Sequence, residues 1–472
     1  MSVHDSSEQR PTLRGRWATV VLLLVCYMFS YIDRLSLSIL VQPMKQTLHL
    51  SDTQIGLLQG FAFALCYAVA GLPLAWLVDR SSRVKVTAAC VLIWGCATAL
   101  CGAASSLGQL LVARAGTAVA EAGLPPAAIS LFGDLFPPRM LPRVSAIFVL
   151  APYIGGGLAL VIAGGALGFF SSSPWLATIG LLPWQAVFIA IGTPGLLLSI
   201  AVLLILKEPA RREPTLFQSG LESPNSASDY AQIPTMWNTV RFLFAKSTFF
   251  PLYFIAFIFI VGMFYACATW FPTSLVRQFH LTPSVAGHLC GPVLMGAGIV
   301  GTLLSQLLVS GLSDDTVNLR VLAVMSGASI LMIPAALLLV YATSPLQMLA
   351  CYAALVALSA IVTAAMAVPL QLGVPNRMRG KAVSLFALVS SLLGGGGGPL
   401  VVGWLADHVF HQENAVSASL SATCSAFAIV AAVLFLLARR TIAGSHANAI
   451  STKISTGTWK QPPGKPQING DT

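Results

Sequence analysis

The chain has 472 residues, of which 56% are hydrophobic and 9% charged, with a formal net charge of +10 and a mean hydropathy of +0.81. Soluble chains carry about 25% charged residues and cannot hide so much apolar surface. Composition therefore excludes a soluble enzyme, a nucleic-acid binder and a secreted disulfide scaffold, and specifies an integral membrane protein. The apolar runs exceed the ~20 residues an α-helix needs to cross a bilayer, and they lack the roughly ten-residue alternation of an outer-membrane barrel.

Residues 1–16 are polar and basic, and the apolar run behind them has no small-residue cleavage site, so it reads as a retained helix and not a signal peptide. Polar breaks predict twelve spans near 17–40, 54–78, 86–105, 107–133, 144–169, 184–206, 248–275, 284–311, 319–342, 345–371, 382–405 and 417–438. They group into an amino-terminal six-helix bundle, 17–206, and a carboxy-terminal one, 248–438. Between them, 207–247 is rich in Pro, Ser, Gly, Glu and Arg (Glu208-Pro209, Arg211-Arg212, Ser223-Pro224-Asn225) and reads as a cytoplasmic linker. A short amphipathic helix on the membrane surface is expected near Met236–Phe244. The tail 439–472, with Pro462-Pro463-Gly464, is expected to be cytoplasmic and disordered.

With both termini on one side, that side receives twenty-two of the 26 lysines and arginines; the opposite side gets Lys45 and Arg277, and Arg34 and Arg114 fall inside spans. This bias places both termini in the cytoplasm of a multi-pass inner-membrane protein. The basic excess is topological and calls for no nucleic acid. All nine cysteines lie in or at the edge of apolar spans without a C-x-x-C pair, and the seven histidines sit in tails or near span ends, so neither disulfides, a metal nor any other cofactor is expected.

Two internal matches decide the architecture. His49-Leu50-Ser51 with Gly56 and Leu58 recurs as His280-Leu281-Thr282 with Gly287 and Leu289, an offset of 231. Pro137, Arg139, Met140, Arg143, Phe148, Gly156 and Gly157 recur as Pro375, Arg377, Met378, Lys381, Phe386, Gly394 and Gly395, an offset of 238. The expected fold is an all-α membrane protein of twelve helices, a parallel duplication of a six-helix unit. That plan, with the termini and a long central loop on one side, resembles the major facilitator superfamily over roughly 15–440, in which two halves rock about a site at the midplane.

The turn after the second span, Ala75-Trp76-Leu77-Val78-Asp79-Arg80-Ser81-Ser82-Arg83-Val84-Lys85, is similar to that superfamily's G-x-x-x-D-R-x-G-R-R signature, with Ala75 and Ser82 in place of glycines. An acid beside arginines at a helix end can make charge-assisted bonds that hold in one state and break in another. Asp79, Arg80 and Arg83 with Asp134 form the candidate cytoplasmic gate; simple anchoring by positive charge is the alternative. The second-half counterpart, Ser310-Gly311-Leu312-Ser313-Asp314, is degenerate.

Ionisable residues deep in a bilayer are functional candidates by default. Here they are Asp33 and Arg34 on the first span and Arg114 and Glu121 on the fourth. Arg114 and Glu121, seven residues apart, share a helix face with about 10 Å of rise between them. Asp33 and Arg34 point about 100° apart and cannot face the same partner. The expected wiring pairs Asp33 or Glu121 with Arg114 and leaves Arg34 free for a substrate anion or for backbone carbonyls. A buried acid beside an arginine can exchange a proton for a salt bridge, because burial disfavours its charge and the cation favours it. Asp33 and Glu121 are thus the candidate proton-coupling acids, with Arg114 and Arg34 as charge switch and substrate contacts; a static ion network is the alternative.

Tyr31-x-Asp33-Arg34, Arg114-x6-Glu121-Ala122-Gly123 with Pro125-Pro126, and Asp134-Leu135-Phe136-Pro137-Pro138 resemble bacterial Spinster-like transporters, as do Trp184, Glu208-Pro209 and Gly403-x-x-x-Asp407. The resemblance implies proton coupling and translocation of amphiphilic, lipid-like anions, with those roles falling on Asp33, Arg114 and Glu121. Gln185 stands where that family has arginine, so an anchoring contact is expected to be missing. Tyr27, Tyr31, Tyr153, Phe264, Tyr265 and Trp270 are candidate cavity-lining aromatics, with lipid-facing or core packing the favoured alternative for any one of them. The run Gly394–Gly398 lacks the Lys-Ser/Thr of a phosphate loop and reads as helix packing.

These features point to a non-enzymatic secondary transporter, proton-coupled, moving an amphiphilic organic anion by alternating access as a monomer among membrane lipids. A sugar-acid proton symporter is the alternative, since that branch also has Tyr-x-Asp-Arg and Glu-Ala. A polytopic enzyme of lipid metabolism would need a His, Asp or Ser cluster at the membrane surface, which the sequence does not offer.

Overall fold

The computed structural model describes residues 13–211, 235–245, 248–310, 314–411 and 416–455, and the regular elements among them are helices. In chain order these are α1 Leu13–Leu48, α2 Asp52–Arg80, α3 Arg83–Cys101, α4 Leu107–Glu121, α5 Leu124–Leu135, α6 Arg143–Ser171, α7 Pro183–Ile205 and α8 Met236–Ala245. The second half contains α9 Phe249–Phe279, α10 Pro283–Val309, α11 Asp314–Leu337, α12 Pro345–Gly373, α13 Met378–His408 and α14 Val416–Ser455. Among the described residues 11 helices are long and apolar enough to cross a bilayer alone. The twelfth crossing is α4 followed by α5, each too short by itself.

That break has a local cause. Pro125 has no N–H, and its ring excludes the carbonyl four residues back, that of Glu121. The Ala122 and Gly123 N–H groups turn onto the Ala118 and Ala120 carbonyls, both at 3.3 Å, and Pro125 enters the first turn of α5, where a missing donor is harmless. Glu121 is thereby left at a helix end partway along the α4–α5 crossing.

Elsewhere the turns are capped. Ser51 Oγ accepts the Gln54 N–H at 3.1 Å while Gln54 Oε1 accepts the Ser51 N–H at 2.9 Å, and Thr282 accepts the Val285 N–H at 3.3 Å. Two residues before each cap, His49 and His280 take a left-handed φ of 52° at the ends of α1 and α9. The His-Leu-Ser/Thr match in the sequence is one turn geometry built twice.

The halves meet along α1 with α9, α2 with α13 and α6 with α10. A Cβ on Gly157 would sit 2.6 Å from the Gly291 carbonyl oxygen, and one on Gly60 would sit 2.5 Å from that of Gly396, so only glycine lets these backbones touch. The run 394–398 serves this packing: Gly394 and Gly398 face Ile258 and Gly262 of α9, while Gly396 faces Phe61 of α2. Both α2, at Leu57–Phe61, and α13, at Ser390–Gly395, loosen into a π-turn where they cross.

The last helix runs to Ser455, past residue 439, where the sequence suggests an unstructured tail; no proline interrupts the chain before Pro462. Residues 456–472 and the linker residues 212–234 lie outside the described residues.

Candidate functional site

The middle of α1 carries Tyr27, Ser30, Tyr31, Asp33 and Arg34, and its two adjacent ions take different partners. Arg114 Nη1 of α4 lies 3.4 and 3.3 Å from the two carboxylate oxygens of Asp33. Arg34 reaches Glu121, at the end of the same α4, with Nη2 to Oε2 at 2.7 Å. The two turns between Arg114 and Glu121 explain this crossed wiring: the short aspartate meets the near cation and the long arginine bridges to the far acid. Asp33 and Arg114 are each 1% exposed and Glu121 2%, whereas the Arg34 side chain keeps 12%.

Uncharged groups complete the cluster. Ser30 Oγ donates to the same Glu121 Oε2 at 2.7 Å. The guanidinium carbons of Arg34 and Arg114 lie 4.5 and 4.9 Å from the centroid of one ring, Phe63 of α2, and Tyr31 and Tyr67 add further faces to Arg34 at 5.1 and 5.3 Å. Arg34 Nη1 donates to the Tyr265 hydroxyl on α9 at 3.3 Å, joining the cluster to the second half.

Several expectations change here. Arg34 is not free for a substrate anion or for carbonyls; it is bound to Glu121, and Asp33 is the acid that takes Arg114. A small pocket opens at the α2–α13 crossing, lined by Arg34, Gln59, Phe63, Tyr67, Tyr265 and Ser391, with room for little more than a water molecule. Gln59 Nε2 is buried without a partner. Tyr31 lies against Arg34, 5.1 Å from its guanidinium carbon, and Tyr27 is stacked on Phe148 at 4.4 Å. Tyr153 bridges the halves instead, its hydroxyl 3.0 Å from Thr363 Oγ1. Trp270 is fully buried, and its Nε1 donates to the Pro399 carbonyl at 2.8 Å, the acceptor a buried indole needs. Nor is Gln185 a lost anchor, since Nε2 donates to the Ala104 carbonyl at 3.2 Å and Oε1 accepts the Leu182 N–H at 2.9 Å. Sequence reasoning passes over Ser30, Gln59, Phe63 and Tyr67. The four-residue spacing of the last three, which puts them on one helix face, is the signal that finds them.

At the α2–α3 turn Arg83 pairs with Asp134 of α5, its expected partner, and also with Glu208, Nε to Oε1 at 2.6 Å, an acid the sequence assigns to the linker. Glu208 further accepts the Ser82 hydroxyl at 2.8 Å and the Val84 N–H at 3.0 Å. Partial burial opposes its charge, but these donors and the Arg83 cation outweigh it and hold the Glu208 carboxyl below the ordinary carboxylate range. Asp79 and Arg80 are not drawn in: the Asp79 side chain is exposed, and Arg80 stacks on Trp76 at 4.5 Å. The cluster ties α3 to α5 and to the end of α7, within one half.

The opposite face is latched across the halves. Arg277 of α9 binds Asp52 at the start of α2 through two contacts of 2.8 Å, Lys45 approaches Asp52 at 3.1 Å, and Arg277 Nε donates to Gln42 at 3.1 Å. Asp407, near the end of α13, accepts the Asp52 and Thr53 N–H groups at 3.2 and 2.6 Å, capping α2 from the other half.

Comparison with known proteins adds to this geometry. The Major Facilitator Superfamily model matches residues 23–399. An MFS-type efflux pump of Mycolicibacterium smegmatis is 28% identical over 427 residues, 90% of this chain and 93% of that protein. Protein spinster of Drosophila melanogaster is 23% identical, covering 94% and 71%, and a probable galactarate/D-glucarate transporter of Bacillus subtilis is 26% identical, covering 62% and 65%. Among solved structures, a bacterial homologue of the human lysosomal transporter Spinster, inward-facing and unoccupied, superposes with a TM-score of 0.75 at 24% identity, over 92% of this chain and 98% of that one.

Proposed function

The chain belongs to the major facilitator superfamily, and we propose that it is a Spinster-like, proton-coupled secondary transporter that moves an amphiphilic or lipid-like organic anion by alternating access. The observation that carries this reading is the crossed pair of buried ion bridges, Asp33–Arg114 and Arg34–Glu121. A fixed scaffold gains little from two such pairs in an apolar interior, because desolvation offsets the attraction. An exchanger gains a switch: a proton on Glu121 releases Arg34, the cation at the pocket, to a substrate anion. The aromatic walls, Phe63, Tyr67 and Tyr265, suit an apolar body behind an anionic head. The surplus of basic residues on the face of the termini supports cytoplasmic termini in an inner membrane.

Proteoliposome uptake of anionic lysolipids and of sugar acids under an imposed pH gradient tests this, wild type against Glu121→Gln. Gradient-driven accumulation of a lysolipid in wild type and its loss in the variant are expected; unchanged accumulation in the variant removes Glu121 as the coupling acid. A sugar-acid symporter is the second reading, favoured by the unpartnered Gln59 Nε2 and the Ser391 hydroxyl at a pocket of small size; accumulation of glucarate and not of lysolipid would select it.

A further inference from the structure

Hydroxyls within a helix commonly donate to a carbonyl three or four residues back. In α1, Thr19, Ser36 and Ser38 do so, onto Gly15, Ile32 and Leu35. Ser30, 2% exposed, does not: it donates across to Glu121 Oε2 at 2.7 Å. That oxygen already holds Arg34 Nη2 at 2.7 Å, while the other carboxylate oxygen, Oε1, is buried with no partner. Two donors on one oxygen and none on its twin hold negative charge at Oε2. They leave Oε1 as the atom that can take a proton without displacing either donor.

We propose that Ser30 is a positioning residue for Glu121, holding the carboxylate toward Arg34 and setting the pH at which it takes up a proton. The proposal rests on the reading of Glu121 as a coupling acid. When Glu121 is protonated and turns from Arg34, the hydroxyl of Ser30 rotates to the Cys26 carbonyl one turn back, as its neighbours on α1 already do, so no buried donor is stranded. The charged and titratable groups around Glu121 are Asp33 and Arg34 with Tyr27 and Tyr31 on α1, and Arg114 on its own helix. Tyr67 on α2 and Tyr265 on α9 face it across Arg34. A change at Ser30 leaves all of them in place.

The test is an infrared titration of the full chain in lipid nanodiscs, following the protonated-carboxyl band that Glu121→Gln removes. Loss of a hydroxyl that favours the ionised form moves the midpoint of that band upward in Ser30→Ala, by about one to two pH units. Ser30→Thr keeps the hydroxyl and returns the midpoint to the wild-type value, while Ser30→Cys, a weaker donor, gives a smaller upward move. A residue that merely packs would lower the unfolding temperature and leave the midpoint alone, so equal midpoints for Ser30→Ala, Ser30→Cys and wild type overturn the proposal. If Glu121→Gln removes no band that titrates, the coupling-acid reading itself fails and the role of Ser30 falls with it.

Discussion

Arg34 and Tyr265 stand 231 residues apart, the same offset that relates His49 to His280, and their side chains touch, Nη1 to the phenol oxygen at 3.3 Å. They are counterparts in the two halves, one a cation and the other a neutral hydroxyl. All four charges of the cluster belong to the first half, so this contact is where the second half meets the ionic state of the first. Tyr265→Phe keeps the ring and removes only that acceptor. At this length the bond contributes about 1 kcal/mol, and gradient-driven uptake is expected to fall about fivefold with the unfolding temperature lowered only slightly; wild-type uptake would show that the contact carries no coupling.

Arg114 is buried against Asp33, so removing it strands a carboxylate in an apolar interior. Arg114→Met is expected to cost about 3–5 kcal/mol, and the double variant Asp33→Asn/Arg114→Met is expected to regain most of it, because neither charge is then alone. Thermal unfolding in detergent of the two single variants and the double variant measures this coupling. Additive losses would mean that the two side chains are independent.

The Asp52–Arg277 bridge spans the halves on the face away from the termini, and opening that face must break it. Spin labels at Gln46 and Val285, both exposed, report the separation. Asp52→Asn removes the charge that Arg277 and Lys45 share, and a second, longer distance is expected to appear. A single distance matching that of wild type would assign the closure of this face to the Asp407 cap on α2, the Arg277–Gln42 bond and the glycine packing.

Glu208 predicts a pH dependence with a definite sign. Its carboxyl titrates lower in the folded chain than the ordinary value of about 4.3. It therefore stabilises the fold above that value, and its contribution is lost as pH falls through the lowered one. Unfolding temperatures of wild type and Glu208→Gln, followed from pH 7 to pH 3, should differ most at neutral pH and converge in acid. A gap that widens in acid would reverse the assignment.

The four charges of the cluster were legible in the sequence because an ionisable side chain within an apolar run stands out whatever the fold. Their pairing was not, because it depends on how far α4 has risen and turned before Pro125 stops it. Ser30, Phe63 and Tyr67 resemble any other hydroxyl or ring in a membrane helix, and only the position of a second helix shows what they touch. Glu208 looks like one more residue at the start of a polar linker, and the partner that claims it, Arg83, is far away in sequence. The turns at His49 and His280 were visible as a repeat, since the same left-handed cap demands the same following residues.

The joint between α4 and α5 also decides the parity of the whole chain. Among the described residues a count of unbroken apolar rods yields an odd number, which would put the two ends of the polypeptide on opposite sides of the bilayer and scatter its lysines and arginines over both. Two adjacent prolines, by dividing one crossing into halves that such a count discards, conceal the crossing that brings the ends back together. The same division sets a carboxylate at the depth where the two halves meet.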